Sequence, residues 1–402
     1  MTLSTLNLPS PLAARDPLPR GEGLVPPISK SDAQRALVLA DVLGVPFDSI
    51  LPSGEALPRD IEVLREGLQK LRAAGAQLDC RDGGAPFRFL LGQAAVLPNR
   101  RVEFTGTPRL GARPHEPLID SLQALGVSIT GTPWPVRVET RELIRNARFT
   151  VTGTESSQFA SSLLLAAARL SMLTGDPIDV HVEGALVSEG YFALTQSWLT
   201  RCGFSLNPVR APKAPPSFPS IPGDWSSIGY LLALSWVTGL DVARMQRNSG
   251  HPDEAIVTHL EHVGLTVTTK LEGIATRGFD VDASTCPDAI PTLAVIATKL
   301  PAPSIFRNVG ILRHKESDRV QGIITLLTAA GLDSELDGDT LTVTPDDAHD
   351  FAFDPLDDHR LAMSAAVLSR LHDVRLDLTH RDCVSKSFPT FWDEFAKTYD
   401  DR

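Results

Sequence analysis

One pattern constrains the architecture more than any other: five times an amphipathic helical stretch ends in a glycine and runs into a short strand-like segment. The instances are LRAAGAQL at Gly75, LQALGVSI at Gly126, LTRCGFSL at Gly203, LEHVGLTV at Gly264 and LTAAGLDS at Gly331. A glycine just past a helix takes up the left-handed backbone that other residues resist, so each is expected at that position. The intervals of 51, 77, 61 and 67 residues are too irregular for a solenoid and fit one supersecondary unit used several times. Between successive marks a second helix is expected, opened by a polar or glycine-containing turn near Ser31, Gly84, Ser156, Asp224, Pro287 and Asp358. With RVEFTG, FTVTG, DVHVEG and TLTVTP as strands between them, the chain reads as six α/β units of two helices each, three on either side of a break. The break is LNPVRAPKAPPSFPSIPGD, Leu206 to Asp224, whose six prolines suit a crossover between domains. The first 27 residues, also rich in proline, could supply a strand to either half.

Composition removes several classes of function. A chain of 402 residues, 42% hydrophobic and 22% charged, has material for two full cores and is not disordered as its main state. Its 38 basic against 49 acidic residues leave a net charge of −11, which disfavours nucleic acid and acidic membrane surfaces as partners. No uncharged apolar run reaches the roughly 18 to 20 residues that span a bilayer. The start, MTLSTLNLPSPLAARD, lacks a basic region followed by an apolar stretch, so a cytoplasmic location is expected. Cys80, Cys202, Cys286 and Cys383 lie far apart without a CxxC pair and are expected to be reduced. His259 and His262 in HLEH are close enough to share a metal, but no third ligand is evident and a solvated helix face is the better expectation.

Basic residues of an acidic protein mostly lie on solvated faces, and here several do not. In PPISKSDAQRALVLADVLG, Lys30 and Ser31 open a helix, where free N–H groups and the dipole favour an anion, and Arg35 follows one turn later. RDGGAPFRF sets Gly83 and Gly84 before Arg88, ARPHEPL puts Arg113 at a helix entry, and ESSQF places Ser156, Ser157 and Gln158 ahead of a long apolar helix. Glycines let a ligand approach the backbone, and hydroxyls with an amide can bind phosphate oxygens. In the second half, LRHKESDR carries Lys315, Glu316 and Arg319, DDHRLAM carries Arg360, and CVSKSFP carries Lys386. Taken singly, each segment also reads as a capped or solvated first turn of a helix. Jointly they suggest one convergent, positively charged site for two polyanionic small molecules, lying in a cleft between the halves.

These motifs, spread from Lys30 to Lys386, resemble the 5-enolpyruvylshikimate-3-phosphate synthase (3-phosphoshikimate 1-carboxyvinyltransferase) family. The family's KSxSxR falls on Lys30, Ser31 and Arg35, its glycine loop on Gly84 and Arg88, and its RP element on Arg113 and Pro114. SSQF matches Ser156 to Phe159, PDA matches Pro287 to Ala289, KESDR matches Lys315 to Arg319, DHR matches Asp358 to Arg360, and KSFP matches Lys386 to Pro389. The resemblance implies a two-domain inside-out α/β barrel, each domain of three βαβαββ units, with domains at 27–222 and at 1–26 plus 223–402. It also implies transfer of the carboxyvinyl group of phosphoenolpyruvate to the 5-hydroxyl of shikimate 3-phosphate, on the way to chorismate and the aromatic amino acids.

In that scheme Lys30, Gly84, Arg113 and Gln158 hold the phosphate of phosphoenolpyruvate, while Arg319, Arg360 and Lys386 hold its carboxylate, where arginine's planar fork gives bidentate contacts. Shikimate 3-phosphate lies on Ser31, Arg35, Ser156, Ser157, Gln158, Ser188, Tyr191, Asp288 and Lys315. The acceptor hydroxyl adds to C2 as C3 gains a proton, and phosphate then leaves a tetrahedral intermediate. Such a reaction needs a base, an acid and positive charge around both anions. Asp288 is the candidate base, and Glu316 and Lys30 the candidates for proton delivery; no metal or other cofactor is required. Two small-molecule substrates and a monomeric state are expected, without nucleic acid or membrane. Gly84 keeps a small residue at the donor subsite, which leaves steric room for glyphosate.

One loop departs from the family. Where NAGTxxR is usual, this chain has Asp82, Gly83, Gly84, Ala85, Pro86, Phe87 and Arg88. Asp82 brings a carboxylate towards the expected donor phosphate unless it turns away, is protonated, or pairs with Arg81 or Arg88. Transfer to another alcohol acceptor and a degenerate, non-catalytic relative are the alternatives. Transfer to UDP-N-acetylglucosamine is disfavoured because TGTPRLGARPHEP lacks the cysteine usual in that branch.

Overall fold

A computed structural model describes residues 23–399 apart from 133, 215 and 216. Residues 1–22, most of the segment expected to supply a strand, lie outside the described residues. The chain divides into two compact units: one is 28–222 with 250–252, the other 223–249 and 253 onward with the described residues before Ile28. Each has its own hydrophobic core.

The first unit opens with α1 (Lys30–Leu43) and α2 (Arg59–Lys70). Ser29 caps α1, its Oγ accepting from Asp32 N at 3.2 Å, and Gly44 at φ 72° ends it. Then come β1 (Gly75–Asp79), α3 (Gly84–Val96), β2 (Arg100–Thr105), the single turn α4 (Pro108–Gly111), α5 (Glu116–Gln123), β3 (Ser128–Thr130) and β4 (Val136–Thr140). These strands form one sheet in the order β1-β2-β4-β3, parallel between β1 and β2 and antiparallel elsewhere, which is a βαβαββ unit. Val102 and Phe104 alternate inward with Val136 and Val138, so one sheet face is apolar and covered by helices. The unit closes with β5 (Arg148–Thr152), α6 (Ser157–Thr174), β6 (Asp179–Glu183) and α7 (Glu189–Arg201), β5 and β6 pairing in parallel.

The second unit begins with α8 (Trp225–Thr238), α9 (Ala255–His262) and the short pair β7 (Thr266–Val267) and β8 (Leu271–Glu272). It continues with β9 (Asp280–Asp282), α10 (Ile290–Ala297), β10 (Ser304–Arg307), α11 (Arg319–Ala329), β11 (Ser334–Asp337) and β12 (Thr340–Val343). Their sheet, β11-β12-β10-β9, repeats the strand order of the first unit. Last are β13 (Phe351–Phe353), α12 (His359–His372), β14 (Leu376–Leu378) and α13 (Phe391–Lys397), with β13 and β14 parallel.

The six helix starts expected from sequence belong to α1, α3, α6, α8, α10 and α12. In the first unit α1, α3 and α6 pack on one another, and in the second α8, α10 and α12 do. Burial runs almost all round them, as in Ser157–Ser171 of α6 and His359–Leu371 of α12, which is how a helix apolar on every side is accommodated. By contrast α2 buries one stripe through Ile61, Leu64 and Leu68, and α7 one through Leu194, Trp198 and Leu199. Among the described residues, each unit thus has three inner helices with further helices outside them.

Four of the five marking glycines adopt left-handed backbone: Gly126, Gly203, Gly264 and Gly331 have φ of 84°, 83°, 100° and 77°. Gly75 does not. Helix α2 ends at Lys70, a turn bonded from Arg72 N to Gln69 O and from Ala73 N to Lys70 O carries the chain out, and Gly75 is already the first residue of β1. Repetition is also less regular than expected. Only two sheets have four strands, and among the described residues the remaining pairings are two-stranded or single bridges such as Leu24 with Val242 and Ile178 with Val209.

Candidate active site

In the second unit the segments before α10, α11 and α12 bring their charges together. Arg319, fully buried, donates from Nε to Asp358 Oδ2 at 2.9 Å, from Nη1 to Asp288 Oδ1 at 2.8 Å, and from Nη2 to Glu316 Oε2 at 2.7 Å and Asp358 Oδ1 at 3.3 Å. Arg360 Nη2 donates to Asp288 Oδ2 at 3.0 Å, Lys315 Nζ lies 3.9 Å from Asp288 Oδ1, and Lys386 Nζ lies 3.5 Å from Glu316 Oε1. Asp358 is the N-cap of α12, accepting from Arg360 N at 2.9 Å, and also accepts from Ser317 Oγ at 2.7 Å. One buried carboxylate thus fixes both the arginine of KESDR and the helix that carries the arginine of DHR.

The electrostatics follow from the count. Four cations, Lys315, Arg319, Arg360 and Lys386, face three carboxylates, Asp288, Glu316 and Asp358. Burial alone would raise the pKa of Asp288, but Arg360, Lys315 and Arg319 override it and hold the carboxyl well below the usual range. Burial works against charge on Arg319 too, and Asp358, Glu316 and Asp288 more than offset that. Such a gathering of cations around partly buried carboxylates suits an anionic ligand.

In the first unit the site is built on α1, α3, α6 and α7. Lys30 Nζ lies 3.3 Å from Asp60 Oδ2 at the start of α2, both side chains largely buried. Arg35 donates from Nη1 to Ser31 O at 2.7 Å, from Nη2 to Tyr191 O at 2.8 Å and from Nε to Thr195 Oγ1 at 2.8 Å, joining the start of α1 to that of α7. Burial lowers its pKa to about 10, against the pull of Asp32, so it stays charged at neutral pH. Ser188, at φ 55°, and Tyr191 lie at the entry to α7. Ser156 caps α6 through Gln158 N at 3.3 Å, and Ser157 is buried beside it.

Gly84 opens α3 directly beneath Arg113. A Cβ there would lie 2.6 Å from Nη1 and 2.9 Å from Cζ, so only glycine lets the guanidinium occupy its place. Arg88, one turn on, is buried: Nη1 donates to Gln158 Oε1 at 2.6 Å and Nη2 to Pro114 O at 2.8 Å. It braces Gln158 and the backbone just after Arg113. Asp82 Oδ1 accepts from Thr107 Oγ1 at 2.6 Å.

Lys30, Ser31, Arg35, Gly84, Arg113, Ser156, Ser157, Gln158, Ser188 and Tyr191 therefore belong to the first unit, and Asp288, Lys315, Glu316, Arg319, Arg360 and Lys386 to the second. A family model described as EPSP synthase (3-phosphoshikimate 1-carboxyvinyltransferase) matches residues 55–395. A 3-phosphoshikimate 1-carboxyvinyltransferase of Methanoculleus marisnigri is 32% identical over 91% of this chain and 88% of its own length. The chain belongs to the EPSP synthase family. EPSP synthase of Acinetobacter baumannii superposes with a TM-score of 0.69 over 95% of this chain and 97% of its own, at 17% identity. The enolpyruvyl transferase NikO of Streptomyces tendae does so at 0.65 over 94% and 95%, at 13% identity. At such identities the likeness speaks to fold, here the two-domain α/β fold of EPSP synthases and other enolpyruvyl transferases.

Three partners escaped the sequence. Asp60 carries no motif and meets Lys30 only through the packing of α2 on α1. Thr107 and Thr195 are single hydroxyls whose partners lie 25 and 160 residues away. Asp358 was legible as a helix start, and its second task of holding Arg319 was not.

Proposed function

We propose that the protein transfers the carboxyvinyl group of phosphoenolpyruvate to the 5-hydroxyl of shikimate 3-phosphate and releases phosphate. The observation that carries this is the Asp288 cluster, in which Lys315, Arg319, Arg360 and Lys386 gather around Asp288, Glu316 and Asp358. Arg360 and Lys386 receive the carboxylate of phosphoenolpyruvate, with Arg319 as the buried charge behind them. Lys30, Arg113, Gln158 and the backbone at Gly84 receive its phosphate. Ser31, Arg35, Ser156, Ser157, Gln158, Ser188, Tyr191, Asp288 and Lys315 hold shikimate 3-phosphate. Residues of both domains act on one substrate pair: those from Lys30 to Tyr191 belong to a domain at 27–222, and those from Asp288 to Lys386 to a domain at 1–26 plus 223–402.

Asp288 is the base. Its cationic neighbours keep it ionised, the form that takes a proton, and a donor carboxylate arriving among them neutralises part of their charge and raises its basicity. Glu316 and Lys30 are the candidates to deliver a proton to C3 during addition and to take one back from C3 as phosphate departs, which restores the carbon–carbon double bond. Positive charge at Lys30 and Arg113 favours the departing phosphate. The enzyme works as a cytoplasmic monomer on two small substrates; the −11 charge is unsuited to nucleic acid, and among the described residues no helix is long and apolar enough to cross a membrane.

A coupled assay of phosphate release from phosphoenolpyruvate, with and without shikimate 3-phosphate, tests the proposal. Release only with the acceptor is expected. Silence with it, combined with turnover of another alcohol, assigns a different acceptor and refutes the proposal.

A further inference from the structure

We propose that Asp82 is a positioning residue that fastens the arm carrying Arg113, so that the carboxylate standing where the family has asparagine supports donor binding and does not oppose it. This rests on the assignment of Arg113 to the donor's phosphate. The arm runs from Thr107 to Pro114 and is held at both ends. At its start, Thr107 N donates to Arg81 O at 3.0 Å and Thr107 Oγ1 donates to Asp82 Oδ1 at 2.6 Å. The same hydroxyl oxygen accepts from Leu110 N at 3.3 Å and so caps α4. A hydroxyl has one proton to give and lone pairs to receive, and an acceptor at Asp82 fixes which way it turns.

From α4 the restraint passes on. Leu110 O accepts from Arg113 N at 3.2 Å and from His115 Nε2 at 2.8 Å, which places the ring proton on Nε2. At the far end Arg88 Nη2 holds Pro114 O at 2.8 Å. Between these fastenings the Arg113 guanidinium lies against Gly84 with no space for a Cβ. Asp82 and Gly84 are two residues apart, so one turn both ties the arm down and makes the surface on which its arginine rests. Like-charge repulsion of the donor phosphate by Asp82 is the opposing account, and the two predict opposite signs.

Steady-state kinetics and amide hydrogen exchange on the full chain decide between them. Asp82→Ala raises KM for phosphoenolpyruvate about tenfold and leaves KM for shikimate 3-phosphate within about twofold. Asp82→Asn, which keeps an acceptor oxygen, recovers most of the loss, and Thr107→Val matches Asp82→Ala without adding to it in the double variant. Exchange across 107–113 accelerates in Asp82→Ala and not in Asp82→Asn. Unchanged or lower KM for phosphoenolpyruvate in Asp82→Ala overturns the proposal, as does an asparagine variant no better than alanine. Unchanged exchange puts the fault in the fastening itself. Faster exchange with unchanged donor KM overturns the proposal through its premise about Arg113, and a wild-type enzyme that releases no phosphate refutes the reaction first.

Discussion

At the scale of single residues, close contacts set the position of the candidate ligands. Gly84→Ala places a methyl 2.6 Å from Arg113 Nη1, and the arginine has to move. Its expected effect is a rise in KM for phosphoenolpyruvate of roughly tenfold or more, from lost charge-assisted bonds, with a smaller change in KM for the acceptor; steady-state kinetics reads it. Asp288→Asn is expected to lower kcat about 10² to 10⁴ fold while substrates still bind. Because its neighbours hold Asp288 ionised far below the usual carboxylate range, the acid limb of kcat/KM for the wild type should not report it near its ordinary value of 3.8. An acid limb that disappears in Asp288→Asn would contradict this. Most of these residues were legible in the sequence because each stands in a short motif at a helix start. Their partners were not, since Asp60 and Thr107 gain meaning only once α2 and the arm beside α3 are packed in place.

At the scale of elements, the caps that made the inner helices readable also hold the site. Asp358 caps α12 and pairs with buried Arg319, so Asp358→Ala removes a cap and leaves the buried Arg319 Nε without its carboxylate. Its expected cost is about 3 to 5 kcal/mol, measured by denaturant unfolding. His372, near the end of α12, accepts from Ala348 N at Nδ1, 3.1 Å away, and its Nε2 lies 2.8 Å from Thr298 Oγ1. Burial, aided by Lys299, lowers its pKa from 6.5 to about 4. The folded state keeps the ring neutral while the unfolded chain binds the proton, so this stability is complete above pH 6.5 and is lost as pH falls towards 4. His372→Asn, which retains an acceptor in place of Nδ1, should flatten the fall of Tm across that window; an unchanged slope would argue against it. Strands were harder to read than helices. The pairs β7–β8 and β13–β14 have two or three residues per strand, too few for alternation to register, whereas RVEFTG and TLTVTP show it. Gly75 misled because it follows a helix at a distance, with four turn residues between Lys70 and the strand it opens.

At the scale of the molecule, two units with separate cores each hold three inner helices, and many of the candidate ligands lie at helix starts, inner and outer, in both. The repeated order of their four-stranded sheets explains why one helix-glycine-strand pattern recurs along the chain. Family membership rests on matches across most of the length, while the roles of individual residues are the proposal. The central claim is that residues of both units grip the same phosphoenolpyruvate. Calorimetric titration of phosphoenolpyruvate into the protein saturated with shikimate 3-phosphate tests it most directly, on wild type, Arg113→Ala and Arg360→Ala, each variant first checked for an intact unfolding transition. The account predicts at least about a tenfold loss of affinity in both variants; undiminished binding in either one would contradict it.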